Sequence, residues 1–443
     1  MTTPSLCLTP RRSALLAEHD NTLEVLVRIQ APDAPAGEVP ARQPLNIGLV
    51  IDRSGSMSGP PLREAIRCAN FVIDSLTPED QASVVVYDDS VHTLVPTTSV
   101  TDRDRFRRAL STVHSGGSTD LHGGWLRGAE TLAPLAEGKA LSRVILLSDG
   151  CANHGLTDLL EITAQCTALA EAGVGTSTYG LGDGFNEELM VAMARAGQGN
   201  NYYGQTAEDL MDPFREEFAL LNALCGRKLV LELKAPSGVK LEMLNDYDML
   251  EPGRWRLPDL AYGAEAWALV QLKLSAKQVE KLGGQVPGTL LTASVRYEDR
   301  GGEPRAIQPR TLSLSALPAA AFGAVAEDDL VKRRADELMA ADIQKKARKA
   351  AMAGDWRYVD RYIERLKGLG KDNAWIEAVT AELRELAERR DQARFAKESM
   401  YSAHRMSRRL ASRMEGEFAP GEDVPDYVRR KMAQGKRDPK DLR

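Results

Sequence analysis

LNIGLVIDRSGSMSG, residues 45–59, opens on a continuous apolar run from Ile47 to Ile51 and then breaks into Asp52-Arg53-Ser54-Gly55-Ser56. Runs of that kind suit a strand buried on both faces of a parallel sheet. The break offers one carboxylate and two hydroxyls, from Asp52, Ser54 and Ser56. In an open α/β sheet, ligands sit beyond the carboxyl ends of the strands. A hard divalent cation wants oxygen ligands there, and Mg²⁺ wants near-octahedral ones with some waters kept. The competing reading makes Asp52 a helix N-cap and the serines turn residues.

Two later stretches can complete such a site. Ser115 to Asp120, SGGSTD, is a Gly-rich loop just before a helical pattern. Arg143 to Asp149, RVILLSD, is a second buried-strand run ending in a carboxylate. Glycines 116, 117, 123 and 124 flank Thr119 and let backbone turn tightly and approach an ion closely. In this order, Asp52, Ser54, Ser56, Thr119 and Asp149 resemble the metal-ion-dependent adhesion site of von Willebrand factor type A domains. The resemblance covers roughly residues 42–224, about 40% of the chain. A D-x-S-x-S motif alone is short; three segments in the right order and context are far more specific.

The resemblance implies that the hydroxyls of Ser54, Ser56 and Thr119 bind a cation, and that Asp52 and Asp149 hold it directly or through waters. Mg²⁺ is the expected ion from ligand hardness and abundance, with Mn²⁺ and Ca²⁺ as the alternatives. Two carboxylates nearly neutralise a dication yet leave it electrophilic. An Asp or Glu of a partner protein can then replace a bound water, in a charge-assisted contact. Asp120, His122 and His154 adjoin the site loops and form the expected partner-binding rim, with Asp120 also placed to cap the next helix. Bacterial relatives of this type work beside AAA+ ATPases, kinases or other multi-gene systems, so such a component is the expected partner.

The alternative is a metal-dependent hydrolase or chelatase-type subunit acting on a small molecule. It needs a general base near a metal-bound water. Asp120, His122 and His154 are the residues that could serve. No G-x-x-x-x-G-K-[ST] loop is present for nucleotide hydrolysis, and no G-x-S-x-G elbow surrounds a candidate nucleophile. The leading reading is therefore a binding module without catalysis.

Composition bounds these readings. A chain of 443 residues has length for two to four domains and ample core. A formal charge of −6 argues against nucleic acid or a membrane surface as partner. The first residues, MTTPSLCLTPRRSALL, lack the apolar core of a signal peptide, and no run of about 18 apolar residues suggests a span. Cysteines 7, 68, 151, 166 and 225 are scattered, odd in number and never in a C-x-x-C pair. That fits a reducing cytosol better than a disulfide framework or a zinc site, so a cytoplasmic location is expected. Cys151 follows the Asp149-Gly150 pair and reads as an inert loop cysteine.

Residues 22–30, TLEVLVRIQ, alternate apolar and polar side chains, as a half-buried antiparallel strand does. A Pro-rich linker follows. Strands and helices then alternate regularly to about residue 224, which predicts a doubly wound, mainly parallel sheet with right-handed crossovers. From about 226 the segments are short, alternating and separated by Gly and Pro, as in an antiparallel β-sandwich. The 22–30 strand shares that texture, so residues 1–41 are expected to join the β domain at 225–317, with the A-type domain at 42–224 inserted between them. Residues 322–412 are rich in helix formers and predict a hairpin or three-helix bundle. Residues 413–443 predict a flexible charged tail, and its segment EGEFAPGEDVPD, 415–426, is acidic enough to visit the protein's own metal site.

Overall fold

Every residue of the strand Leu45–Asp52 is buried, because it lies inside a sheet covered on both faces. The computed structural model describes residues 3–33, 43–136, 140–149, 152–181, 186–204, 211–408 and 411–412. The expected tail at 413–443, Cys151 and most of the Pro-rich linker lie outside those residues. The chain divides into two compact units, one formed by residues 41–222 and the other chiefly by the segments before and after them.

The first unit holds a six-stranded sheet in the spatial order Val91–Ser99, Gln81–Tyr87, Leu45–Asp52, Leu141–Ser148, Val174–Leu181, Gln198–Gly204. All neighbours are parallel except Val91–Ser99, which returns antiparallel beside Gln81–Tyr87. From Leu45–Asp52 the chain builds outward to one edge, then returns to Leu141–Ser148 on the other side and builds to the opposite edge. Strand order therefore reverses between these two neighbours. In doubly wound sheets the crevice above such a reversal is where ligands bind.

Helix Leu121–Leu132 crosses the sheet closely. Its Trp125 is fully buried and donates Nε1–H to Thr176 Oγ1 at 3.0 Å. Gly123 and Gly124, which flank Thr119, lie within this helix. Gly124 is there for contact: a Cβ would fall 2.3 Å from Cδ1 of the buried Tyr87. Gly124→Ala is expected to cost the protein about 1–3 kcal/mol through overpacking. A urea titration of the full chain reads the loss as a lower midpoint for this unit.

The second unit contains two antiparallel sheets. One runs Ser5–Pro10, Asn21–Gln30, Ala264–Leu274, Lys240–Met243. The other runs Met249–Glu251, Arg254–Arg256, Leu224–Lys234, Leu291–Asp299, Pro304–Leu312. Asn21–Gln30 pairs along its whole length with Ala264–Leu274, so the segment before the first unit and the segment after it share one sheet. Where the edge of Ala264–Leu274 lacks a strand partner, Asn245 substitutes for one. Its Oδ1 accepts Leu269 N–H at 2.7 Å and its Nδ2 donates to the Ser407 carbonyl at 2.9 Å.

Among the described residues, the C-terminal region, where a hairpin or three-helix bundle was expected, forms four long helices: Asp329–Met352, Trp356–Leu369, Ala374–Glu388 and Gln392–Arg408. The extra break falls at Arg390, whose φ of +52° ends one helix, and Asp391 begins the next by accepting Arg394 N–H at 3.1 Å. These helices are not a free-standing bundle. Val331, Ala335 and Leu338 of the first pack into one cluster with Leu26, Trp267 and Leu269 of the sheet. None of the described helices is long and apolar enough to cross a membrane.

Candidate metal centre

Asp52 is the last residue of its strand and is fully buried. Its Oδ1 accepts Ser54 N–H at 2.8 Å, which turns the chain sharply back over the strand end. Its Oδ2 accepts the Ser148 hydroxyl at 2.7 Å, from the neighbouring strand. Burial pushes the Asp52 carboxyl above its ordinary value against these hydrogen bonds. Beneath it lies the buried Tyr87 phenol, pushed well up by burial and by the charge of Asp52.

The hydroxyls continue the chain of contacts. Ser54 Oγ lies 3.1 Å from Ser56 Oγ, and Ser56 Oγ donates to Asp149 Oδ1 at 2.8 Å. Asp149 stands just past Leu141–Ser148, across the strand-order reversal from Asp52. Burial and the Asp52 charge push its carboxyl up to about 6, against the hydrogen bond from Ser56.

Thr119 reaches this cluster through loop contacts. Gly55 N–H donates to the Gly117 carbonyl at 3.1 Å, and Gly116 N–H to the Arg53 carbonyl at 2.8 Å. Arg53 pairs with Asp88 at 2.9 Å, and the Asp88 carbonyl accepts Asp120 N–H at 2.8 Å. Thr119 is itself buried, and both of its main-chain polar groups are bonded to the segment after Asp149.

This donor set fits a hard dication. Two carboxylates close enough for the charge of Asp52 to help raise Asp149 make a place where positive charge is missing. Hydroxyls already within hydrogen-bond distance supply neutral oxygens beside them. Among the described residues no group of three or more His, Cys, Asp and Glu side chains could hold a metal, which leaves no counterpart of a zinc-type site. Mg²⁺, Mn²⁺ and Ca²⁺ are the ions such oxygens suit.

The three rim residues fall differently. Asp120 turns its carboxylate to its own helix and accepts Gly123 N–H at 2.9 Å. His122 Nε2 lies 2.9 Å from Gln165 Oε1, and its ring sits 5.9 Å from the Trp125 ring. His154 is exposed, and its backbone N–H donates to the Thr119 carbonyl at 3.2 Å. Ser148, Tyr87 and Asn153 were not among the residues expected at the site. Ser148 was readable as the polar residue ending RVILLSD, one step before the carboxylate. Tyr87 and Asn153 carry no local signal, because their roles arise only when strand ends meet.

Residues 46–216 match the family model of the von Willebrand factor type A domain. Protein sll0103 of Synechocystis sp. is 29% identical over 202 residues, covering 45% of this chain and 47% of that protein. The chain thus spans about half the length of this curated relative. Among solved structures, a von Willebrand factor type A protein from Catenulispora acidiphila aligns over 92% of this chain and 97% of its own, at a TM-score of 0.67 and 16% identity. The ArnB paralog VWA2 from Sulfolobus acidocaldarius aligns over 91% and 99%, at a TM-score of 0.59 and 17% identity. At such identities the likeness is one of fold.

Proposed function

Residues 46–216 are a von Willebrand factor type A domain, and from that premise we propose that the protein is a metal-dependent binding module whose partner supplies an acidic side chain. Ser54, Ser56 and Thr119 would offer hydroxyl oxygens to Mg²⁺, and Asp52 and Asp149 their carboxylates. The ion would supply an electrophilic position for an Asp or Glu of another protein. The observation that carries this reading is the linked series Asp52, Ser54, Ser56, Asp149, closed by hydrogen bonds of 2.8, 3.1 and 2.8 Å over the strand-order reversal. Two carboxylates, Asp52 fully buried and Asp149 half-buried, leave a negative charge that a dication offsets.

The protein's own groups favour binding over turnover. A general base needs a free lone pair aimed at a water. Asp120 spends its carboxylate on a helix cap, and His122 faces Gln165. The exposed side of the cluster is Ser56, with Asn153 and His154 beside the Thr119 loop, to which both are tied by backbone N–H groups.

The test is retention of proteins from native cell extract on the immobilised full chain. Three conditions are compared: wild type in Mg²⁺, wild type in chelator, and Ser56→Ala in Mg²⁺. A protein held only in the first is expected. Replacing single Asp or Glu residues of that protein by Ala should then abolish its retention. Equal retention in all three conditions would move recognition away from the metal centre.

A further inference from the structure

Thr119 is gripped by a segment that belongs to a different loop. Its N–H donates to Asn153 Oδ1 at 2.9 Å. Its carbonyl accepts two donors, Asn153 N–H at 3.3 Å and His154 N–H at 3.2 Å. One asparagine, through side chain and main chain together, thus holds both polar groups of the Thr119 peptide. The next residue is fixed as well, since Asp120 N–H bonds the Asp88 carbonyl at 2.8 Å and the Asp120 carboxylate caps its helix.

Gly155 keys the two loops together. Its φ is +70°, and a Cβ there would lie 2.3 Å from Asp120 Oδ1. The segment from Asn153 to Gly155 therefore wraps the Thr119–Asp120 step at a distance only a glycine allows. That segment follows Asp149 in the chain. The loop that carries one candidate carboxylate holds the loop that carries the candidate hydroxyl.

We propose that Asn153 is a positioning residue that fixes Thr119 against the Asp149 loop and so makes the centre selective for Mg²⁺ over Ca²⁺. The proposal rests on the metal-centre reading above. Mg²⁺ demands near-octahedral oxygens at about 2.0–2.1 Å, whereas Ca²⁺ accepts a looser shell at about 2.3–2.6 Å. A threonine that cannot drift outward favours the smaller ion. Removing the Asn153 amide takes the acceptor from the Thr119 N–H and leaves only the two main-chain bonds to its carbonyl, which loosens the grip and costs Mg²⁺ more than Ca²⁺. Partners that orient a ligand in this way typically change metal affinity by about 10–100-fold when removed.

The experiment titrates Mg²⁺ and Ca²⁺ separately into the metal-free full chain by calorimetry, for wild type, Asn153→Ala and Asn153→Asp, with a thermal melt of each. Asn153→Ala is expected to weaken Mg²⁺ about 10-fold or more and Ca²⁺ less, so the affinity ratio falls. Asn153→Asp keeps an oxygen opposite Thr119 N–H. Its added charge strengthens both ions, and the ratio returns toward that of wild type. An unchanged ratio in Asn153→Ala, or Asn153→Asp behaving as Asn153→Ala, overturns the proposal. A wild type that binds neither ion overturns the metal centre itself, and that failure is read before any variant is made.

Discussion

Asp52→Asn is expected to remove the whole stabilisation that Mg²⁺ gives the protein while leaving the metal-free protein nearly as stable as wild type. A ligand that binds only the folded state at about 100 times its Kd stabilises it by about 2.7 kcal/mol. For a domain of this size that raises Tm by about 5–10 °C. Asp52 is the most deeply buried of the candidate ligands, and its carboxylate stands between the Ser54 N–H and the Ser148 hydroxyl. The neutral amide can still accept from Ser54 and meet Ser148, so local geometry survives. It also ends the repulsion that helps push Asp149 up to about 6. What it cannot do is offer a charged oxygen to a dication. Thermal melts of wild type and variant with Mg²⁺ and with chelator decide the matter. A variant that keeps the full Mg²⁺-dependent rise would place the ion somewhere else.

The second large effect is expected in the other unit. Arg334→Met should destabilise the unit that joins the antiparallel sheets to the C-terminal helices by about 3–5 kcal/mol, the usual cost of breaking one side of a buried ionic network. Arg334 is fully buried in helix Asp329–Met352. Its Nη1 meets Glu337 Oε2 at 2.9 Å, its Nη2 lies 4.0 Å from Glu265 Oε1, and its guanidinium sits 4.7 Å from the centre of the Trp267 ring. Glu265 is buried on the sheet and also takes Arg28 at 2.8 Å. Burial pushes the Glu265 carboxyl up, while Arg28 and Arg334 draw it down. Methionine fills the volume but leaves Glu337 and Glu265 less well neutralised in a dry place. Urea unfolding followed by far-ultraviolet dichroism and tryptophan fluorescence should show helices and sheet lost together at a lower midpoint. A helical transition that separates from the sheet, with the sheet midpoint unmoved, would mean that this network does not join them.

The strand ends and the loop that form the candidate site were legible because each is local. Apolar runs ending in Asp52 and Asp149 and a Gly-rich loop around Thr119 each declare a strand end or a turn within a few residues. Their order then supplies the doubly wound sheet. The Arg334 network was not readable in the same way. Helix Asp329–Met352 buries Arg334, Glu337 and Gln344 along with its alanines, because it packs against both the sheet and its neighbouring helices. Its strong helix formers predicted helix without marking which charged residues are buried, so the region looked like a separate bundle. Helix Trp356–Leu369 shows the contrast. Its buried residues are Val359, Ile363 and Leu366, and their helical spacing was plain. Asn153 was missed for a further reason: an asparagine in a loop is ordinary, and only the meeting of two strand ends gives it Thr119 to hold.

The pairing of Asn21–Gln30 with Ala264–Leu274 also sets an order in time. Ser5–Pro10 and Asn21–Gln30 can form a hairpin as soon as they are made, but one side of that hairpin waits for a strand still untranslated. Gln30 and its partner Glu265 are 235 residues apart. At ribosomal speeds that is on the order of ten seconds or more. All six strands of the intervening parallel sheet emerge before then, the last ending at Gly204. The insert can fold first and stand in for a long stretch of floppy chain, so pairing Asn21–Gln30 with Ala264–Leu274 carries less entropy loss than chain length alone suggests. Until then an unpaired strand edge stays open to wrong partners, and the newborn chain passes its most aggregation-exposed moment with the doubly wound half already built.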